Sequence, residues 1–133
     1  MSPKEAELRQ KTILLIEGDD NYSFFYSKSL QSSFQVVWAH DGKQGLNLAG
    51  QLKPDLILLE IILKGDDGFE VLKKLKAGPE TKKIPVAIIT NLAHPEDREE
   101  AMRLGACEYI LKTENHTQEL LNKIDEIITG QAQ

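Results

Sequence analysis

Residues 11–20 read KTILLIEGDD, a short apolar run that stops abruptly at a group of acids. Its aliphatic part, residues 13–16, has no polar face, which is typical of a strand covered on both sides in a parallel sheet. Four later segments have the same character. They are residues 35–39 (QVVWA), 56–59 (LILL), 85–89 (PVAII) and 109–111 (YIL). We therefore predict a five-stranded parallel sheet.

The segments between these strands have helical spacing. Asp41 with Gln44, and Asp67 with Glu70, match the capping-box pattern, so each pair predicts the start of a helix. The last helix carries an apolar stripe formed by Leu120, Leu121, Ile124, Ile127 and Ile128. Strands that alternate with helices in this way predict an α/β fold, a single (βα)5 domain with a doubly wound five-stranded parallel sheet.

Composition indicates an ordinary globular domain. The 133 residues include 16 basic and 21 acidic side chains, and a net charge of −5 without a basic cluster argues against nucleic acid or an anionic membrane as the partner. Cys107 is the only cysteine, so a disulfide framework is excluded. No apolar run approaches the roughly 20 residues of a spanning helix, and we expect a cytoplasmic location. We divide the chain into a polar extension (1–11), one domain (12–129) and a tail (130–133).

The functional crevice of such a sheet lies at the carboxyl ends of the strands. Residues 17–20 (EGDD) follow the first strand, Glu60 follows the third, Thr90 the fourth and Lys112 the fifth. The acids after the first strand could simply cap the next helix. Glu60 interrupts an apolar segment, where an ionised group is costly without a partner, and Lys112 is the expected partner. Two unit charges about 4 Å apart attract by about 4 kcal/mol at an effective dielectric constant of about 20, which fixes an arrangement without identifying a reaction.

This pattern resembles the receiver domain of bacterial response regulators. The resemblance runs from Thr12 to Ile128. It rests on residues 11–17 (KTILLIE), 39–42 (AHDG), 54–60 (PDLILLE), 68–72 (GFEVL), 83–86 (KIPV) and 105–112 (GACEYILK). Each stretch is weak by itself, but together they have the order and spacing of that family. The resemblance implies the flavodoxin-like strand order 2-1-3-4-5 and a receiver that fills nearly the whole chain, without a separate output domain.

The resemblance also implies roles for individual residues. In that family an acidic pair after the first strand binds Mg²⁺, and an aspartate after the third strand accepts a phosphoryl group from a histidine kinase. A threonine or serine after the fourth strand and a lysine after the fifth contact the phosphoryl oxygens, and an aromatic residue on the fifth strand reports the state. Thr90, Lys112 and Tyr109 match these last three positions.

One departure from the family pattern lies at the phosphoacceptor position itself, which is occupied by Glu60. Its additional methylene pushes the carboxylate into space that the phosphoryl oxygens would fill. We therefore expect Glu60 to accept hydrogen bonds from Thr90 and Lys112 without any phosphate. A further difference is Thr113, which stands where proline usually follows the lysine.

The other departure lies in the acidic pair, where Gly18 replaces one acid. Mg²⁺ depends on a few well-placed carboxylates, so we expect only weak binding by the remaining Glu17, Asp19 and Glu60. Lys64 stands where the family often has proline, and its ammonium either occupies the metal position or is solvated in a loop; the second interpretation is favoured because lysine is seldom buried.

The leading hypothesis is a stand-alone receiver that is not phosphorylated in the usual way and signals through protein contacts. In this hypothesis Glu60 holds a phosphorylated-like conformation with Tyr109 turned inward. The main alternative is a working Mg²⁺-dependent phosphoacceptor with an unusual pocket. A phosphatase similar to haloacid dehalogenases is a distant alternative, since it needs an aspartate nucleophile where Glu17 stands. An FMN binder is disfavoured because the acids after the first strand would repel phosphate. We expect no enzymatic activity.

The expected partners are a histidine kinase, a phosphotransfer protein or another signalling protein. In the family the first helix often meets such partners, and the surface formed by the fourth helix, the fifth strand and the fifth helix forms homodimers. Among the aromatic residues after Asp20, Tyr22, Phe25 and Tyr26 can share the inward face of a helix, whereas Phe24 cannot. Phe24 is therefore our candidate partner contact.

Overall fold

The computed structural model describes residues 1–114 and 117–130, so residues 131–133 of the predicted tail lie outside the described part. The strands are β1 (Thr12–Ile16), β2 (Gln35–Ala39), β3 (Leu56–Leu59), β4 (Ile62–Leu63), β5 (Asp66–Asp67), β6 (Val86–Thr90) and β7 (Glu108–Leu111). The helices are α1 (Pro3–Leu8), α2 (Asp20–Gln31), α3 (Gly42–Leu52), α4 (Gly68–Ala77), α5 (Pro95–Arg103) and α6 (Thr117–Thr129). Across the described ranges, no helix has both the length and the apolar character needed to cross a bilayer.

Five strands form the parallel sheet, in the order β2-β1-β3-β6-β7. This is the predicted order 2-1-3-4-5 once the two short strands β4 and β5 are set aside. β1 pairs with β2 on one side and with β3 on the other, and β6 joins β3 to β7. The predicted α/β fold is confirmed, because every predicted apolar run forms a strand of this sheet.

The core lies on both faces of the sheet. Alternate side chains of β1 point to opposite faces, as the period of a strand requires. Leu14 and Ile16 pack in the cluster that includes residues of α3, α4 and α5, whereas Ile13 and Leu15 pack in the cluster that includes residues of α2 and α6. All four side chains are fully buried, and each such burial contributes about 1.5–3 kcal/mol. The doubly wound arrangement therefore covers both faces of the central strands with helices.

The two predicted helix starts are confirmed, although their capping contacts differ from a capping box. Asp41 caps α3 by accepting a hydrogen bond from the Gln44 N–H at 2.8 Å, while Gln44 Oε1 accepts from the His40 N–H at 2.6 Å. Asp67 caps α4 through the Phe69 N–H at 2.9 Å rather than through the third residue of the helix. Aspartate at an N-cap is favourable by itself, which explains why the pattern located both starts.

The structure contains three short elements that the sequence did not predict, the helix α1 and the strands β4 and β5. α1 lies within the polar N-terminal extension, where Ser2 and Glu5 form a capping box. Lys4 of this helix lies 3.3 Å from Asp125 of α6. β4 and β5 form an antiparallel hairpin, and its turn uses Gly65 at φ 74°, a conformation that favours glycine. The hairpin directly follows the carboxyl end of β3 and therefore borders the crevice.

The expected inward face of α2 is partly wrong. The residues of this helix that are buried are Ser23, Tyr26 and Leu30. Phe25 is 52% exposed and Tyr22 is 36% exposed, so these two rings lie on the flank of the helix rather than on its inward face. Phe24 is 67% exposed, as expected for a side chain that points away from the sheet. Small Ser23 is fully buried on the inward face, whereas its larger neighbours Tyr22 and Phe24 are exposed.

Candidate functional site

The carboxyl ends of the strands border an open crevice of about 580 Å³. Backbone hydrogen bonds place its charged residues one step beyond the strands. The Glu17 N–H donates to the last carbonyl of β2 at 3.0 Å, the Glu60 N–H to the last carbonyl of β1 at 3.0 Å, and the Lys112 N–H to the last carbonyl of β6 at 2.9 Å. The sheet thus brings together the three charged residues that the sequence placed at strand ends.

Glu17, Glu60 and Lys112 form a buried ionic triad. Lys112 Nζ lies 2.6 Å from Glu17 Oε1 and 2.7 Å from Glu60 Oε1, and none of the three side chains is more than 6% exposed. The second oxygens bind backbone groups: Glu17 Oε2 accepts from the Asp19 N–H at 3.2 Å, and Glu60 Oε2 accepts from the Ile62 N–H at 3.0 Å. Each carboxylate oxygen therefore has a donor, and the expected pairing of Glu60 with Lys112 is present.

Burial sets the protonation chemistry of Glu17. Loss of solvent raises the pKa of the Glu17 carboxyl above its ordinary value of 4.5, and the neighbouring charge of Glu60 raises it further. The hydrogen bond and the charge of Lys112 oppose this rise without cancelling it. Two acids therefore share one ammonium, and burial favours the protonated form of Glu17.

We expect the stability difference between the wild type and Glu17→Gln to depend on pH. Because the pKa of Glu17 is higher in the folded state than in the unfolded state, its favourable contribution is fully present below the unfolded pKa, 4.5, and is lost as pH rises through the folded pKa. Urea unfolding of both proteins from pH 4 to pH 8 measures this. The free energy of unfolding of the wild type minus that of Glu17→Gln should fall as pH rises, and a difference that rises with pH would contradict the raised pKa.

Thr90 and Tyr109 are buried, and both contact Leu92. Thr90 Oγ1 accepts a hydrogen bond from the Leu92 N–H at 3.4 Å. The Glu60 oxygens bind Lys112 and the Ile62 N–H instead of Thr90, so the expected hydrogen bond from Thr90 to Glu60 is not formed among the described residues. The Tyr109 hydroxyl donates to the Leu92 carbonyl at 2.8 Å, which holds the ring inward. Burial raises the pKa of Tyr109 to about 12, so the phenol stays a donor at neutral pH.

Comparison with known proteins gives this geometry a family. The family described as response regulator receiver domain matches residues 13–125. The chain is also 31% identical over 119 residues to protein PilH of Pseudomonas aeruginosa, covering 89% of this chain and 98% of PilH. The chain belongs to the response regulator receiver domain family. It is thus a receiver domain of two-component signalling, as the resemblance implied.

Two further similarities bear on length and on metal binding. The receiver is 34% identical over 106 residues to a probable cyclic di-GMP phosphodiesterase of Vibrio cholerae, covering 80% of this chain but only 24% of that longer protein. The receiver domain of a sensor histidine kinase from Pseudomonas aeruginosa superposes with a TM-score of 0.82 at 25% identity, covering 90% of this chain and 98% of that one. That structure has a magnesium ion coordinated in its active site cleft. Receiver domains therefore bind Mg²⁺ at this place in the fold.

The donor set of this receiver does not fit Mg²⁺. The carboxylates of Glu17 and Glu60 face the ammonium of Lys112, and Gly18 supplies no side chain. Asp19 Oδ1 accepts a hydrogen bond from a backbone N–H of α2 at 2.8 Å and so acts as its N-cap. Within the described ranges no group of three His, Cys, Asp or Glu side chains could hold a metal ion. The expected metal ligands Glu17, Asp19 and Glu60 all border the crevice, but they do not form a metal-binding group, because the Lys112 ammonium lies between the two glutamates.

Two crevice residues were not predicted to belong to the functional site. The ring of Tyr22 lies over Lys112, with Nζ 3.7 Å from the ring centroid, and the Tyr22 hydroxyl accepts a hydrogen bond from Asn91 Nδ2 at 3.1 Å. Asn91 directly follows β6, and Tyr22 lies in the first turn after the Asp19 cap. These positions beside strand ends are the signal that could have found both residues. Lys64 is exposed at the mouth of the crevice, in agreement with the favoured interpretation.

Proposed function

We propose that this receiver signals through protein contacts without ordinary aspartyl phosphorylation, and that the Glu60–Lys112 ion pair takes the place of a phosphoryl group. The observation that carries the proposal is the 2.7 Å contact between Lys112 Nζ and Glu60 Oε1 in a buried site. In the family this lysine contacts the phosphoryl oxygens, and here a side-chain carboxylate already provides that negative charge.

The surroundings of the pair support a phosphorylated-like conformation. The second oxygen of Glu60 binds the Ile62 N–H at 3.0 Å, so the carboxylate is held at both ends. Tyr109, the residue that reports the state in the family, is buried and tied to the Leu92 carbonyl. A charge held by two donors is stabilised by charge-assisted hydrogen bonds, which removes the need for a covalent phosphoryl group to order the site.

Partners follow from the family and from the exposed surfaces. We expect a histidine kinase, a phosphotransfer protein or another signalling protein to contact α2, where Phe24 is largely exposed. The family homodimer surface corresponds here to α5, β7 and α6, and a homodimer through it stays a prediction. The proposal assigns the domain no catalytic reaction and a cytoplasmic location. Because the Lys112 ammonium lies between Glu17 and Glu60, we expect Mg²⁺ to bind at most weakly.

Intact-mass measurement after incubation with Mg²⁺ and acetyl phosphate tests the proposal. We expect no stoichiometric phosphoryl adduct on the wild-type chain, because the acceptor aspartate and one acid of the metal-binding pair are both replaced. A stable, stoichiometric adduct would contradict the proposal and favour the alternative of a working phosphoacceptor with an unusual pocket.

A further inference from the structure

Tyr22 closes the side of the Lys112 ammonium that the carboxylates leave open. The centroid of its ring lies 3.7 Å from Lys112 Nζ, which is within the range of a cation–π contact. The ring is fixed from two directions. Its hydroxyl binds Asn91 across the crevice at 3.1 Å, and Tyr26, which is buried, stacks against it with the ring centroids 6.2 Å apart and the planes 14° apart.

We propose that Tyr22 is a positioning residue that holds the Lys112 ammonium on Glu60 and Glu17 and controls access to it from the crevice. This inference rests on the proposed function, since a cover over Lys112 matters only if the Glu60–Lys112 pair maintains the signalling conformation. Tyr22 is thus a third group in contact with the Lys112 ammonium, beside the two carboxylates. Neither the family resemblance nor the departures at Gly18 and Glu60 gave Tyr22 this role.

The physical argument is one of charge and access. The face of a phenol ring is electron-rich, so it attracts the ammonium without neutralising it and does not compete with the two carboxylates for its protons. The Lys112 side chain is only 2% exposed although it borders the crevice, and the partly exposed Tyr22 ring lies over its ammonium with the centroid 3.7 Å from Nζ, so the ring covers this side of the ammonium. An anionic group that enters the crevice therefore meets the ring before it can reach Lys112.

Reductive methylation with formaldehyde and cyanoborohydride, mapped by peptide mass spectrometry, tests this access. Lys64 serves as the internal reference, because it is exposed and borders the same crevice. We expect Lys112 to react slowly relative to Lys64 in the wild type. In Tyr22→Ala the ratio of the Lys112 rate to the Lys64 rate should rise about tenfold or more, since the cover is removed.

Two matched variants separate the ring from other effects. Tyr22→Phe keeps the ring and loses the hydroxyl, so its ratio should stay within about twofold of the wild type. Phe24→Ala removes an exposed aromatic of the same helix and should leave the ratio unchanged. An unchanged ratio in Tyr22→Ala would overturn the proposal, and so would an increase in Tyr22→Phe equal to that in Tyr22→Ala, because the protection would then lie in the hydroxyl.

An NMR measurement on the wild-type protein tests the position of the Tyr22 ring even if Tyr22→Ala folds poorly. Ring currents should move the NMR signals of the Lys112 ε-methylene protons upfield of those of Lys64, and equal shifts would overturn the proposal. Neither measurement uses a phosphodonor. A wild-type chain that is phosphorylated would therefore contradict the proposed function while the Lys112 measurements still decide the role of Tyr22.

Discussion

Replacing Lys112 with methionine is expected to lower the free energy of unfolding by about 3–5 kcal/mol. The substitution removes the ammonium that lies 2.6 Å from Glu17 and 2.7 Å from Glu60, and it leaves two buried carboxylates beside each other. Methionine is similar to lysine in length and volume, so a cavity contributes little to the loss. Urea unfolding monitored through Trp38, the only tryptophan, measures the effect at neutral pH.

Two further substitutions show whether the buried charge causes this loss. Lys4→Met removes an ammonium whose pair with Asp125 is partly exposed, with 56% and 30% of the two side chains accessible, and it should change the free energy of unfolding by at most about 1 kcal/mol. Adding Glu17→Gln and Glu60→Gln to Lys112→Met removes the stranded charges and should recover most of the loss. A loss of less than about 1 kcal/mol in Lys112→Met would contradict a buried triad.

The sheet was predictable because each of its strands is a continuous apolar run that ends at a polar or turn residue. The elements that were not predicted are too short to have a period: α1 has 6 residues, and β4 and β5 have 2 each. The segment after Glu60 is shaped by a tertiary contact instead. A Cβ at Gly68 would lie 2.5 Å from the Ile61 carbonyl oxygen. Only glycine therefore allows the start of α4 to approach the backbone at Ile61 this closely. No local pattern contains that information.

The charged residues of the site were predictable because ionised side chains at strand ends need partners, whereas the choice among partners depends on rotamers. Glu60 turns to Lys112 and the Ile62 amide, which leaves Thr90 with Leu92. Tyr22 was missed for a related reason. Aromatic residues were assigned to the inward face of α2, but small Ser23 lies there and Tyr22 turns toward Lys112.

Restoring both missing acids, in the double variant Gly18→Asp with Glu60→Asp, is expected to change the chain from one without a stoichiometric phosphoryl adduct to one in which most molecules carry it. Incubation with Mg²⁺ and acetyl phosphate followed by intact-mass measurement tests this. The shorter aspartate withdraws the carboxylate from Lys112 and frees that ammonium for a phosphoryl oxygen. The side chain introduced by Gly18→Asp has room, because a Cβ at Gly18 would lie 3.4 Å from the His40 carbonyl oxygen and 3.9 Å from the Lys64 backbone nitrogen.

The single variants separate the two defects. Glu60→Asp alone should recover little labelling, because Mg²⁺ binding depends on a small number of well-placed carboxylates and residue 18 still supplies none. Glu60→Asp with Gly18→Ala is the matched control, since it changes the glycine without adding an acid and should label no better than Glu60→Asp. Equal labelling of Glu60→Asp and of the double variant would show that Gly18 is not the limiting defect. If both variants were labelled to a high level, the longer Glu60 side chain alone would account for the loss of phosphorylation, since its carboxylate binds Lys112 in the place of a phosphoryl oxygen.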